Sequence, residues 1–298
     1  MNEQIIVPLD GSKLAEVALP YAEELSSRLK TEVILFQAVQ RALHMYGFYA
    51  QVPFTDEEME PITARAQAYL GKIGSKLNKK SITTRCEVRV GAAADEIIKL
   101  AGENSVYMVT MSTHGRSGIS RLALGSVADK VVRGTKKPVA LLRAKGTHPD
   151  IRKKDILHKA LVPLDGSKAS EAVIPYIESL ASKLEIEIIL LHILALDNHI
   201  IIETLYEQAD SLRSSARDYI EKVAAQLKQK GIVTTAEFIE TKQGTEAEEI
   251  IKLADKTQAD VVAMSTHGRS GITRWVFGSV AYRVLYEGNT PLLLVKPS

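Results

Sequence analysis

The chain contains one pattern twice. Val7-Pro-Leu-Asp-Gly-Ser-Lys13 returns unchanged as Val162-Pro-Leu-Asp-Gly-Ser-Lys168, 155 residues later. Ser112-Thr-His-Gly-Arg-Ser-Gly118 returns as Ser265-Thr-His-Gly-Arg-Ser-Gly271, 153 residues later. Over Ser112–Ala128 against Ser265–Ala281, thirteen of seventeen residues are identical, while most of the rest has drifted apart. A period that long belongs to duplicated domains and not to a solenoid of short repeats. The total of 298 residues suits two domains. They are expected over residues 1–145 and 156–298, with the linker in Ala144–Asp155, where Gly146 and Pro149 sit among alternating charges.

Within each copy, short β-rich apolar runs alternate with helical patterns, the signature of βαβ units on a parallel sheet. The first copy reads as strands at Gln4–Leu9, Glu32–Val39, Thr84–Val90, Val106–Met111 and Val139–Arg143. Helices fall between them at Ser12–Leu29, Pro61–Asn78, Ala94–Asn104 and Ser126–Thr135. The second copy reads as strands at Lys159–Leu164, Glu187–Leu194, Thr234–Glu240, Val261–Met264 and Leu292–Val295. Continuous apolar runs such as Val33-Ile-Leu-Phe36 and Ile188-Ile-Leu-Leu191 suit strands covered on both faces. The copies differ most after the second strand. There Arg41–Glu60 is rich in aromatics, as suits a ligand cover, a subunit contact or a loop packed on its own domain.

Both kept motifs fall where such a sheet binds ligands, beyond the carboxyl ends of strands at the point where strand order reverses. Asp10 follows the first strand and Ser112–Gly118 the fourth. If those strands are neighbours, the aspartate and the glycine loop face one crevice. Gly115 and Gly118 allow a backbone to approach a ligand closely. Gly125-Ser126 opens a helix whose free N–H groups and positive dipole end favour a phosphate, with Ser126 as cap or donor. Arg116 offers a charge-assisted contact or is simply solvated. The same logic gives Ser265, Gly268, Arg269, Gly271, Gly278 and Ser279 in the second copy. Turn chemistry alone explains one such loop, and explains two near-identical loops less comfortably. Asp10 and Asp165 would repel phosphate unless they bind a sugar hydroxyl or a bridging Mg²⁺; each is also a candidate helix cap. His114 and His267 have no second ligand at metal spacing and read as loop-orienting residues.

Composition narrows the partners. A net charge of +2, with charged residues at 25%, gives no reason to expect nucleic acid or an acidic membrane surface. The one cysteine, Cys86, excludes an internal disulfide or a thiolate metal site and reads as a small buried hydrophobe. No apolar run suits a bilayer, and the N-terminal stretch lacks the make-up of a signal peptide, so a cytoplasmic protein is expected.

With these residues in view, the chain resembles the universal stress protein family in its tandem-domain form. Nucleotide-binding members of that family carry Gly, two residues, Gly, nine residues, then Gly-Ser or Gly-Thr. Gly115, Arg116–Leu124 and Gly125-Ser126 fit, as do Gly268, Arg269–Phe277 and Gly278-Ser279. The opening glycine is replaced by Ser112 and by Ser265, a departure that touches the ribose contact more than the phosphate site. The resemblance implies two doubly wound, Rossmann-like α/β domains, each with a five-stranded parallel sheet and ATP at the switch point. It implies backbone contacts to adenine at Ala38 and Ile193, and adds Val127 and Val280 to the phosphate-binding helix starts. It also implies domains paired through their last strands as an intramolecular pseudo-dimer, with two chains associating further as a homodimer.

The function expected on this basis is ATP binding in both domains, in a sensing or signalling role under stress. There is no Gly-x-x-x-x-Gly-Lys-[Ser/Thr] loop, so little or no turnover is expected. A slow Mg²⁺-dependent ATPase or phosphotransferase using Asp10 and Asp165 is the alternative, and a nucleotide-free dimerising adaptor is a third. Trp275 and Phe277 stand where the first loop has Leu122 and Leu124, so the two pockets need not bind equally.

Overall fold

A computed structural model describes residues 3–41, 43–46, 50–113, 124–143, 156–195, 206–241, 245–268 and 278–297, with backbone alone at 44–46, 50–52 and 206–209. The proposed linker lies outside these residues. By contact density the chain divides into two compact units, Met1–Ala144 and Lys145–Ser298.

The first unit runs β1 (Gln4–Pro8), α1 (Leu19–Leu29), β2 (Glu32–Val39), β3 (Leu43–Tyr46), β4 (Ala50–Pro53), α2 (Asp56–Asn78), β5 (Thr84–Val90), α3 (Ala93–Ala101), β6 (Val106–Ser112), α4 (Ser126–Gly134) and β7 (Val139–Leu142). Its sheet is parallel, in the order β7-β6-β1-β2-β5. The chain leaves β1 towards β2 on one side and later returns through α3 to β6 on the other. Strand order therefore reverses between β1 and β6, and a crevice opens beyond their carboxyl ends. Ile5, Ile6, Val7, Ile34, Leu35, Phe36 and Val109 are fully buried, as continuous apolar runs on a two-sided sheet must be. Leu25, Leu70, Ile97 and Val131 are buried on the helices that flank the sheet.

The second unit repeats the plan. It runs β8 (Lys159–Pro163), α5 (Lys168–Glu171), α6 (Ile174–Leu184), β9 (Glu187–Ala195), α7 (Tyr206–Gln229), β10 (Thr234–Thr241), α8 (Glu246–Thr257), β11 (Val261–Ser265), α9 (Ser279–Glu287) and β12 (Leu292–Val295). The parallel order is β12-β11-β8-β9-β10, with the reversal between β8 and β11.

Several boundaries differ from the sequence expectation, each for a local reason. The helix expected over Ser12–Leu29 is broken into a 3-10 turn, Ala15–Ala18, followed by α1. Pro20 has no N–H to donate back to the preceding turn, so the α-helical ladder starts afresh there. Pro175 does the same between α5 and α6. The helix α2 starts five residues before Pro61, because Thr55 and Glu58 form a reciprocal capping box ahead of it. The aromatic segment after β2 contains an antiparallel hairpin, β3 with β4, which pairs Leu43 with Pro53 and Tyr46 with Ala50. Cys86 is only partly buried, and that burial pushes its thiol above the ordinary value.

Candidate functional site

In each unit the first strand ends in a tightly held turn. Leu9 N–H donates to Phe36 O at 2.8 Å, and Leu164 N–H to Leu191 O at 2.8 Å, so the chain stays in the sheet up to the aspartate. Glycine then turns it, at φ 86° for Gly11 and 85° for Gly166, a left-handed conformation that favours glycine. Asp10 Oδ1 accepts from Ser12 N–H at 2.9 Å, and Asp165 Oδ1 from Ser167 N–H at 2.9 Å. Ser12 Oγ accepts in turn from Ala15 N–H, and Ser167 Oγ from Ser170 N–H, both at 3.1 Å. Ser167 caps α5, while Ser12 bonds into the start of the 3-10 turn without being its cap, and in both units the aspartate side chain holds the loop before it.

The opposite wall comes from the end of the fourth sheet strand in each unit. Thr113 N–H donates to Leu142 O at 2.8 Å, and Thr266 N–H to Val295 O at 2.9 Å. The same threonines accept at their carbonyls from Gly125 N–H at 2.8 Å and Gly278 N–H at 2.7 Å. Each glycine loop is thus closed at its base by one backbone hydrogen bond. Within the loops, His114, Gly115, Arg116, Gly118, Arg269 and Gly271 lie outside the described residues.

Beyond the neck, Gly125 and Gly278 are the cap residues of α4 and α9, and neither helix has a side-chain cap. Ser126 and Ser279 are therefore first helical residues, one step further in than a cap. An uncapped first turn presents backbone N–H groups and a positive dipole end, which suits an anion.

These pieces enclose a cavity in each unit. The first, of about 270 Å³, is lined by Asp10, Phe36, Ala38, Ala93, Ile97, Ser112, Thr113, Gly125, Ser126 and Val127 among others. The second, of about 410 Å³, is lined by Asp165, Ile193, Glu246, Ile250, Ser265, His267, Gly268, Gly278, Ser279 and Val280 among others. Every described candidate residue borders its cavity: the aspartate, the serine ending the strand, the Gly-Ser-Val helix start, and Ala38 or Ile193. The linings combine apolar side chains with the backbone donors of an uncapped helix start, the mix found in pockets for a flat ring with a charged tail. The walls come close together, since a Cβ built on Gly268 would overlap Asp165 Oδ2. His267 is buried, its Nδ1 at 2.9 Å from Thr266 Oγ1 and its N–H donating to Ser265 Oγ at 3.3 Å. Among the described residues no group of three or more His, Cys, Asp or Glu is placed to hold a metal.

Three features of the site region are absent from the sequence reading. A tyrosine on the long helix donates to a glutamate just past each aspartate turn: Tyr69 to Glu16 at 3.2 Å, and Tyr219 to Glu171 at 2.9 Å. Burial, then the Glu16 and Asp10 carboxylates, push the Tyr69 hydroxyl well above the ordinary tyrosine range. His192 is buried with Nδ1 at 2.8 Å from Leu164 O, beside the Tyr219 and Phe238 rings. Glu246 lines the second cavity where the first has Ala93. Aligning the two copies from the glycine loop backwards, at the same 153-residue offset, would have exposed that last difference.

Known proteins resemble the chain. The universal stress protein family matches residues 1–143 and again 157–296. A universal stress protein of Mycolicibacterium smegmatis is 24% identical over 297 residues, which cover 98% of this chain and 97% of that protein. One from Methanocaldococcus jannaschii is 26% identical over 159 residues, about half of this chain and 98% of that protein. The crystal structure of a universal stress protein from Archaeoglobus fulgidus superposes with a TM-score of 0.71 at 18% identity, over 99% of this chain and 96% of that one, which bears on fold alone. Among the described residues no helix is long and apolar enough to cross a membrane. A domain match in each half and a relative that spans the chain end to end place this protein in the universal stress protein family, as a tandem member with two copies of its domain.

Proposed function

We propose that each unit binds one adenine nucleotide, ATP foremost, and that the chain uses this occupancy to sense or signal stress. The observation that carries the reading is the same crevice built twice in two diverged units. In each, an aspartate held by its own turn faces a strand-end serine and an uncapped helix start. Members of the family are stress-response proteins, and its nucleotide-binding members share the Gly-x₉-Gly-Ser spacing found in both loops.

In this reading the phosphates lie at the first turns of α4 and α9, where backbone N–H groups and the helix dipole meet negative charge. The base lies against apolar lining residues, Phe36, Ala38 and Ile97 in the first unit and Leu191, Ile193 and Ile250 in the second. Asp10 and Asp165 then accept from ribose hydroxyls, the contact that makes a carboxylate favourable beside a nucleotide. Mg²⁺, if bound, would take one carboxylate oxygen here and complete its shell with phosphate and water oxygens.

Native mass spectrometry of the purified chain tests the reading, with two adenine nucleotides per chain as the expected result. Calorimetry that shows no binding of ATP, ADP, AMP or cyclic AMP would refute it and leave the chain an adaptor. Hydrolysis lost in Asp10→Asn with Asp165→Asn, while binding persists, would turn the sensor into a slow enzyme. Light scattering checks the expected association of two chains.

A further inference from the structure

The two crevices differ in charge at one described lining position. The described linings share an aspartate (Asp10, Asp165) and otherwise hold apolar residues, small hydroxyls and glycines, together with His267 in the second. In sequence the two glycine-loop segments carry the same charged residues, Arg116 and Arg121 in one copy, Arg269 and Arg274 in the other. The second crevice adds a carboxylate, Glu246, at the first position of α8, where α3 begins with Ala93.

Glu246 is partly buried and has no hydrogen bond or ion pair among the described residues. It shares a helix face with Ile250, four residues on, which lines the same cavity. Among the described residues, the basic groups of α8 and of the facing helix α9 that lie closest along the chain or across the packing are engaged elsewhere. Arg283 pairs with Glu248 at 3.1 Å and Glu287 at 2.9 Å, and it donates to Thr245 Oγ1 at 2.6 Å. Lys252 pairs with Glu249 at 2.8 Å. Nor does the helix need Glu246 as its cap, since Thr245 and Glu248 already form a capping box.

A carboxylate that no described residue pairs with, in a partly enclosed cavity, repels each further negative charge brought into it, and low local dielectric lengthens the reach of that repulsion. The sign does not depend on how the ligand is posed. We infer that the second crevice is tuned to an adenine nucleotide with fewer phosphate charges than the one the first crevice takes, so that AMP competes there far better against ATP. The inference rests on the nucleotide reading above and sharpens it: one chain would hold a triphosphate in one unit and a monophosphate in the other, and so respond to their ratio.

Calorimetry of the full chain with ATP and with AMP tests this, the second site being the one lost in Gly268→Ala. Glu246→Gln, which keeps the shape and removes the charge, should shift the second site's ATP-to-AMP affinity ratio towards ATP by about tenfold. Glu246→Ala should do the same, the first site should stay as it was, and high salt should shrink the difference. An unchanged ratio in both variants, with nucleotide still bound at both sites, overturns the inference alone. No binding of either nucleotide at either site overturns the nucleotide reading, and this inference with it.

Discussion

Gly268 shows how narrow the space between the two walls is. A methyl group there would overlap Asp165 Oδ2, so Gly268→Ala must displace the carboxylate or the loop. The second site should lose at least about tenfold in nucleotide affinity, as expected when a charge-assisted contact is misplaced, while the first keeps its own. Tyr69 carries a pH dependence. Its hydroxyl titrates above the ordinary value because burial and two nearby carboxylates disfavour the phenolate. A folded-state value above the unfolded one means its contribution is intact below pH about 10 and fades as the unfolded chain's tyrosine ionises above that. Denaturant titrations should therefore give Tyr69→Phe a shallower loss of stability than the parent above pH about 10. Asp10 and Asp165 were legible as candidate site residues because both copies keep them beside Gly-Ser, and each lines its unit's cavity. Tyr69 was not, because its partner Glu16 lies 53 residues away and only the folded chain brings a mid-helix tyrosine to the turn.

The elements were legible wherever the apolar period was strong. Strands β2 and β5 carry the limits read from their sequence, since unbroken apolar or alternating runs leave little choice of boundary. Helix α2 was misjudged at its start because Pro61 looks like a first helical residue. Thr55 and Glu58 satisfy the first-turn donors earlier, and Pro61 is tolerated within the helix. The hairpin β3–β4 was hidden by its aromatics, which suit a loop contact as well as a strand. The two capping boxes allow a comparison. Thr55→Ala should cost about 1 kcal/mol in denaturant unfolding, the usual worth of a cap. Thr245→Ala should cost more, because Thr245 Oγ1 also accepts from Arg283, which ties α8 to α9. Equal losses would mean that the Arg283 contact contributes nothing.

On the scale of the whole molecule, duplication places two similar crevices in one chain and leaves each free to diverge. Any ligand that binds only the folded state stabilises the unit it occupies, by about 2.7 kcal/mol at a hundredfold excess over its Kd. Melting with saturating ATP should thus raise the transitions of both units in the parent, with a smaller rise for Lys145–Ser298 in Gly268→Ala and an unchanged one for Met1–Ala144. The backbone bond at the base of each glycine loop has a separate consequence, in the time domain. Gly125 N–H and Gly278 N–H each donate across the base of a glycine loop, so these two amides can exchange with deuterium only when that bond opens. Their exchange rates clock the opening of each loop separately, one amide per loop, in an otherwise unlabelled protein.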